Sequence, residues 1–129
     1  MGLNLLLDFC ISQGKLARAL DIFSQVRKLN ADSKLAIKVD VITFNTMIKG
    51  CAQERKESLG FEIFKYMKEC SKLNEDLRPN DVTYNSLIDA CVRNDKMTKA
   101  WALLKEMQSD PHVKPDNFTY STIIKGIKP

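Results

Sequence analysis

Asparagine returns at one place in a repeating frame. Asn45 lies in Thr43-Phe44-Asn45-Thr46, and Asn85 lies 40 residues later in Thr83-Tyr84-Asn85-Ser86. Asn4, in Leu3-Asn4-Leu5-Leu6, precedes Asn45 by 41 residues and fits the same frame. A fourth copy, Thr119-Tyr120-Ser121-Thr122, follows at an offset of 36 and carries serine there. An amide offers a hydrogen-bond donor and an acceptor side by side, so this spacing points to directional recognition. Groups for bond-breaking chemistry do not assemble. There is no Ser-His-Asp set, no Gly-rich phosphate loop and no acidic metal cluster. His112 stands alone in a junction and reads as an exposed loop residue. Cys10, Cys51, Cys70 and Cys91 form no Cys-x-x-Cys pair, and a single histidine does not complete a zinc site. No catalytic residue, metal or cofactor is expected.

The elements that must position the amides are helices. Four apolar sets follow the i, i+3, i+4, i+7 rule of an amphipathic helix. They are Leu3, Leu6, Leu7, Cys10; Phe44, Met47, Ile48, Cys51; Tyr84, Leu87, Ile88, Cys91; and Tyr120, Ile123, Ile124, Ile127. The cysteines that close three of them read as small buried side chains. Second helices follow, on Leu16, Ala19, Leu20, Phe23, Val26; on Gly60, Phe61, Phe64, Met67; and on Met97, Ala100, Trp101, Leu104, Met107. Ala19, Gly60 and Ala100 share one position, where a small residue lets helix backbones approach. Trp101 and the methionines are expected in the core. Pro79 and Pro115 stand just ahead of the capping residues Asn80 and Asp116, a helix-start signal; the first junction lacks the proline but keeps Asp40. Asn30–Lys38 and Ser71–Leu77 are expected to be solvated loops or extra helical turns.

The fold class is therefore all-α. Three helix-turn-helix units and one extra helix, Asn117 to about Ile127, stack into a superhelix with one concave face. The first helix of each unit is expected to line that face, with the extra helix as a makeshift cap. The chain has 129 residues, 44% hydrophobic and 28% charged, with a formal charge of +4, enough to fold as one domain and mildly basic. No apolar run approaches the roughly 20 residues of a membrane helix. Asp8 interrupts Leu3–Ile11, and Met1-Gly2 supplies no basic leader, so an intracellular protein without a visible targeting segment is expected.

Val82 to Ala90, then Met97 to Met107, then Val113-Lys114-Pro115-Asp116, resembles a nearly complete pentatricopeptide repeat. Val41 to Asn80 is similar, with extra residues before Arg78-Pro79-Asn80. Met1 to Asp40 is a more diverged copy, carried by Asn4, Gly14-Lys15-Leu16 and Ala19 to Phe23. This divides the chain into repeats of about 1–40, 41–80 and 81–116, with a partial repeat at 117–129. The tryptophan-leucine-glycine run of the related tetratricopeptide repeat is missing. The resemblance implies a fragment of a longer array that binds single-stranded RNA, reading one base per repeat with two side chains. By resemblance the reading pairs are Asn4 with Asp40, Asn45 with Asn80 and Asn85 with Asp116, with Ser121 lacking its partner. Ile42, Val82 and Phe118 match the family's base-sandwiching place, and Arg93 its phosphate place, which Ser12 and Gln53 fill in the other copies. The implied target is pyrimidine-rich, U-Y-U, in RNA processing, stability or translation, and the implied compartment is the mitochondrion or plastid.

Residue chemistry leaves alternatives beside that reading. Ionised aspartate only accepts hydrogen bonds and favours a base presenting N–H, as uracil does at N3, whereas asparagine can also donate and admits cytosine. Asp40, Asn80 and Asp116 equally suit helix N-caps. Ile42, Val82 and Phe118 equally suit staples packed inward. The reader asparagines lie about 100° around the helix from the aromatic stripe, which predicts that they face away from the core. Two other functions stay open: a helical-repeat scaffold with protein partners, and the RNA-recognition part of a larger enzyme.

Overall fold

The computed structural model describes residues 2–31 and 38–127. They form α1 (Leu3–Ser12), α2 (Leu16–Ala31), α3 (Val41–Gln53), α4 (Glu57–Ser71), α5 (Asp81–Arg93), α6 (Met97–Ser109) and α7 (Asn117–Gly126), with a short 3₁₀ turn at Glu75–Leu77. There is no strand among the described residues, and no described helix is long and apolar enough to cross a membrane. The protein is an all-α helical-repeat solenoid of three helix pairs and one extra helix.

Local chemistry sets where these helices begin and turn. Asp40, Asn80 and Asp116 each sit in extended backbone as N-cap of a first helix, and their side chains accept from the N–H three residues on. The residue at that place is Thr43, Thr83 or Thr119, whose hydroxyl accepts the N–H of the cap residue, completing a capping box in all three helices. The turn from first to second helix is also repeated. Gly14, Arg55 and Asp95 have φ of 73°, 57° and 58°, the left-handed conformation that ends a helix. The next residue's N–H reaches back to Cys10, Cys51 or Cys91 at 2.9, 2.8 and 2.8 Å. The repeated cysteines thus mark a backbone acceptor as well as the end of an apolar stripe.

Packing then builds the array. First helices lie side by side in the order α1, α3, α5, α7, whereas second helices of successive pairs diverge. Closer spacing on the first-helix side puts those helices on the inner, concave side of the curve. The core runs unbroken from Leu7 and Phe23 through Phe44, Met47, Met67 and Leu87 to Met107 and Ile123. Each fully buried side chain of this size contributes about 1.5–3 kcal/mol. Phe23 meets Phe44 edge-on at 5.7 Å, and Phe64 meets Tyr84 likewise at 5.4 Å, so a second helix grips the first helix of the following pair.

Several expectations about the core need correction. Trp101 is 49% exposed, and Tyr120, Ile124 and Ile127 are 45%, 65% and 54% exposed. Their counterparts Tyr84, Ile88 and Cys91 are buried and Phe61 is half-buried where a further helix pair follows, and no helix follows α7 within the described residues. The extra helix therefore does not close the array; it presents an apolar face. Leu6 is likewise 37% exposed at the opposite end, while Leu7 and Cys10 are buried. The Ser71–Leu77 junction contains the 3₁₀ turn, capped by the Asn74 side chain, with Leu77 tucked into the core. α2 continues through Asn30 to Ala31, and residues 32–37 of the Asn30–Lys38 junction lie outside the described residues.

The shared small position behaves as its chemistry requires. Ala19 and Ala100 are fully buried, and a Cβ placed on Gly60 meets Leu87 Cδ2 at 3.5 Å and Cys51 Cβ at 3.6 Å, ordinary contact distances. Glycine inside α4 costs helix stability without gaining space. Gly60→Ala is expected to stabilise the protein by about 0.5–1 kcal/mol, read as a rise in the urea midpoint at unchanged m-value. A fall in the midpoint would show that the α4 backbone needs the closer approach.

Candidate functional site

The N-cap side chains do more than start helices. Asn4 Nδ2 donates to Asp40 Oδ1 at 3.0 Å, Asn45 Nδ2 to Asn80 Oδ1 at 3.0 Å, and Asn85 Nδ2 to Asp116 Oδ1 at 3.4 Å. Each amide belongs to one first helix and each cap to the next. The hydroxyls of Thr43, Thr83 and Thr119 close the triangle, donating to Asn4, Asn45 and Asn85 Oδ1 at 2.5 Å in all three copies. The paired residues expected from sequence are therefore brought together, at three successive inter-helix seams.

The expectation that the asparagines face away from the core is corrected. Asn45 and Asn85 are buried, 9% and 7% exposed. A rotation of 100° from Phe44 or Tyr84 leads not to solvent but to the flank where the next first helix packs. The threonines are buried further, at 1%, 0% and 0% exposure. They stand in the repeated sequence frame, yet their part in the site is visible only once neighbouring helices are paired. Ser121 is exposed on α7, where no following cap meets it within the described residues.

Hydrogen-bond accounting settles atom orientation. The cap N–H already donates to the threonine oxygen, so the single hydroxyl proton goes to the asparagine oxygen, and the amide nitrogen turns to the cap. Asn80 Oδ1 accepts from Thr83 N–H at 3.2 Å as well as from Asn45, which leaves its Nδ2 on the outer side of the seam. Burial works against ionisation of Asp40, but hydrogen bonds from the Thr43 N–H, Asn4 and the Ile42 N–H outweigh it and hold its carboxyl below the usual carboxylate range. Asp116 is lowered too, by the hydrogen bond from the Thr119 N–H before all else.

Beside each cap stands an exposed apolar side chain. Ile42, Val82 and Phe118, all at the second position of a first helix, are 62%, 47% and 60% exposed. They are not staples packed inward. Ile42 and Val82, with Asn45, Asn80, Lys49 and Gln53, line a cleft of about 570 Å³ across α1, α3 and α5. One turn beyond Asn4, Asn45, Asn85 and Ser121, the residues Asp8, Lys49, Asp89 and Lys125 alternate in sign along the same face. Arg93 Nε donates to Asp89 Oδ2 at 2.9 Å, and the guanidinium stays substantially exposed. Among the described residues, no three or more His, Cys, Asp or Glu side chains are grouped as metal ligands.

Family comparison agrees with this geometry. Residues 79–128 match the PPR repeat family, and residues 29–71 match the pentatricopeptide repeat domain. The chain belongs to the pentatricopeptide repeat family. It is 34% identical over 98 residues to a pentatricopeptide repeat-containing protein of Arabidopsis thaliana, covering 76% of this chain and 17% of that relative. A mitochondrial 15S rRNA processing factor of Yarrowia lipolytica is 31% identical over 102 residues, covering 79% of this chain and 12% of the relative. A chloroplastic pentatricopeptide repeat-containing protein of Arabidopsis thaliana is 40% identical over 54 residues, covering 42% of this chain and 11% of the relative. The chain spans less than a fifth of the length of each.

Two consequences for this pentatricopeptide repeat chain can be measured. Because the Asn45 amide is buried and bonded at both ends, Asn45→Ala is expected to lower folding stability by about 1–3 kcal/mol, seen by chemical denaturation. An unchanged midpoint would place that side chain outside the fold's hydrogen-bond economy. The lowered Asp40 and Asp116 pKa values have a defined sign: their stabilisation is present above the ordinary carboxylate range and is lost as pH falls through the folded-state values. Melting temperature should therefore drop on the acid side, and less so in Asp40→Asn/Asp116→Asn, which keeps both caps without the charge. Equal acid sensitivity of the two proteins would assign the drop to other carboxylates.

Proposed function

We propose that the concave face binds single-stranded RNA, one base at each seam between first helices. The observation that supports this best is the threefold Asn–cap–Thr network, set each time beside an exposed Ile42, Val82 or Phe118. An apolar side chain at that place can cover a base's face, while the amide and cap meet its edge. The relative of Yarrowia lipolytica, named as an rRNA processing factor, points to the same polymer. The repeats are then about 1–40, 41–80 and 81–116, with a partial repeat at 117–129. Asn4 with Asp40, Asn45 with Asn80, and Asn85 with Asp116 each read one base, and Ser121 is a reader awaiting a cap. The role is RNA recognition without catalysis by this segment, inside a longer protein of the mitochondrion or plastid.

Base choice follows from the caps. Asp40 and Asp116, ionised at neutral pH, only accept, which suits the N3–H of uracil. Asn80 holds its oxygen toward Thr83 and Asn45, so its amide nitrogen is the atom left to offer, which suits the N3 acceptor of cytosine and tolerates uracil. The preferred site is U, then C or U, then U, with the amino-terminal repeat on the 5′ base.

Affinity should be modest. Stacking contributes roughly 1–3 kcal/mol per base, against an association cost of several kcal/mol. The inner face alternates Asp8, Lys49, Asp89 and Lys125, and Arg93 is the one basic residue at the phosphate place, where Ser12 and Gln53 stand in the other copies, so counterion release adds little. In filter binding or NMR titration, this chain is expected to bind short oligo(U) with a dissociation constant on the order of tens of micromolar to millimolar, with shallow salt dependence. Asn80→Asp should shift the middle base toward U alone. Equal binding to double-stranded RNA, or undiminished acceptance of C by the variant, would sink the reading.

A further inference from the structure

The three buried threonines carry an inference that deepens, and rests on, the RNA reading above. An asparagine amide has nearly the same shape whichever way it is turned, so packing alone does not decide which of its atoms faces a groove. Hydrogen-bond partners decide it. At the middle seam the Asn80 N–H donates to Thr83 Oγ1 at 3.1 Å, which commits the threonine oxygen as an acceptor. Its one proton then lies 2.5 Å from Asn45 Oδ1 and 3.2 Å from Asn80 Oδ1, heavy atom to heavy atom, and the shorter contact takes it. Asn45 is thereby held with its oxygen on the threonine, while the acceptor Asn80 Oδ1 takes its nitrogen at 3.0 Å, so threonine and cap fix the amide from opposite sides. The same order of distances recurs at Thr43, with 3.1, 2.5 and 3.0 Å, and at Thr119, with 3.1, 2.5 and 2.9 Å. Full burial of the threonines keeps water from taking over the bond.

We propose that Thr43, Thr83 and Thr119 are positioning residues for recognition: each locks the amide of the preceding first helix so that only its N–H is available outward, leaving the cap as the one variable group at each seam. They touch no base. On this account the asparagine contribution is the same at all three seams, and the difference between Asp40, Asn80 and Asp116 sets the difference in base choice. A purely structural role would hold the helices together without controlling amide orientation.

The test uses the 129-residue chain labelled with nitrogen-15, read by NMR without and with three-base RNA probes varied at the middle position. In the unbound wild type, the Asn45 side-chain NH₂ is expected to exchange with water far more slowly than those of exposed asparagines. Thr83→Val should abolish that protection, and Thr83→Ser, which keeps the hydroxyl, should restore it. With RNA, Thr83→Val should cut the preference for a pyrimidine at the middle base by roughly fivefold, with preferences at the outer bases unchanged; serine should rescue it. An Asn45 amide in the wild type that exchanges as fast as an exposed one overturns the proposal without any variant, which covers the case of Thr83→Val failing to fold. Uniform weakening at all three bases in Thr83→Val, with the middle preference kept, overturns it in favour of a structural role. If the amide is protected but the wild type distinguishes no base at any seam, the RNA reading itself has failed, and the positioning role with it.

Discussion

The hydrogen bond that each N-cap side chain accepts from the backbone N–H three residues on is the contact around which the array is organised. Taken alone it is an ordinary helix start, worth about 1 kcal/mol. Here the same oxygen also accepts from an asparagine one helix pair earlier, and the threonine that completes the capping box donates to that asparagine. Starting a helix, registering it against its neighbour and arranging the polar edge of the groove are done by one set of atoms. A slip of one residue between α3 and α5 would leave a buried amide and a buried hydroxyl unpaired together, at about 1–3 kcal/mol each. Polar pairing therefore specifies register where apolar packing, more tolerant of small displacements, would not.

On the other side of the solenoid the joints are of a different kind. Lys68 pairs with Glu106 at 2.8 Å, Lys99 with Glu57 at 3.2 Å, and the Arg27 guanidinium lies 3.8 Å from the Tyr66 ring centre. These link α2 to α4 and α4 to α6, where backbones have diverged and long side chains must span the gap. Lys68 and Glu106 are both substantially exposed, so that ion pair contributes about 0–1 kcal/mol, whereas Lys99 reaches over a nearly buried Glu57. The balance places the buried hydrogen-bonded seam inside the curve and the exposed side-chain links outside. Burial of Phe44, Met47, Leu87 and Met107 supplies the bulk of the stability between them.

The apolar stripes, the small position at Ala19, Gly60 and Ala100, and the three caps could be read in the sequence because each is a local pattern. The residue pairs of the candidate site were legible only through family resemblance, since no periodicity within a single helix links Asn45 to Asn80. Where local reading failed, a neighbour decided. Turning 100° from Phe44 leads to α5 rather than to water, and nothing in α3 alone says so. Trp101 follows the same stripe rule as Phe61 but stays half exposed, because covering it takes a further helix pair. The threonines escaped attention for a plainer reason. A capping box explains a threonine fully at the level of one helix, and its second bond crosses to another.

Aspartate and asparagine differ by an oxygen against an NH₂ group and occupy almost the same volume. Asp40, Asn80 and Asp116 adopt nearly one backbone conformation, with φ of −137°, −118° and −125° and ψ within 8° of 180°. All three present one oxygen to the same two donors, a threonine N–H and an asparagine amide. The inner half of the cap thus makes the same hydrogen bonds in both residue types, more strongly where aspartate is ionised. The outer half differs in kind, an acceptor in aspartate and a donor in asparagine. Exchanging one for the other changes what the groove offers while keeping the geometry of the helix start, the seam and the core. In the proposed reading, this is how a solenoid of fixed geometry carries a variable sequence preference: the atoms that fold it and the atoms that select a base belong to the same side chain but to opposite ends of it.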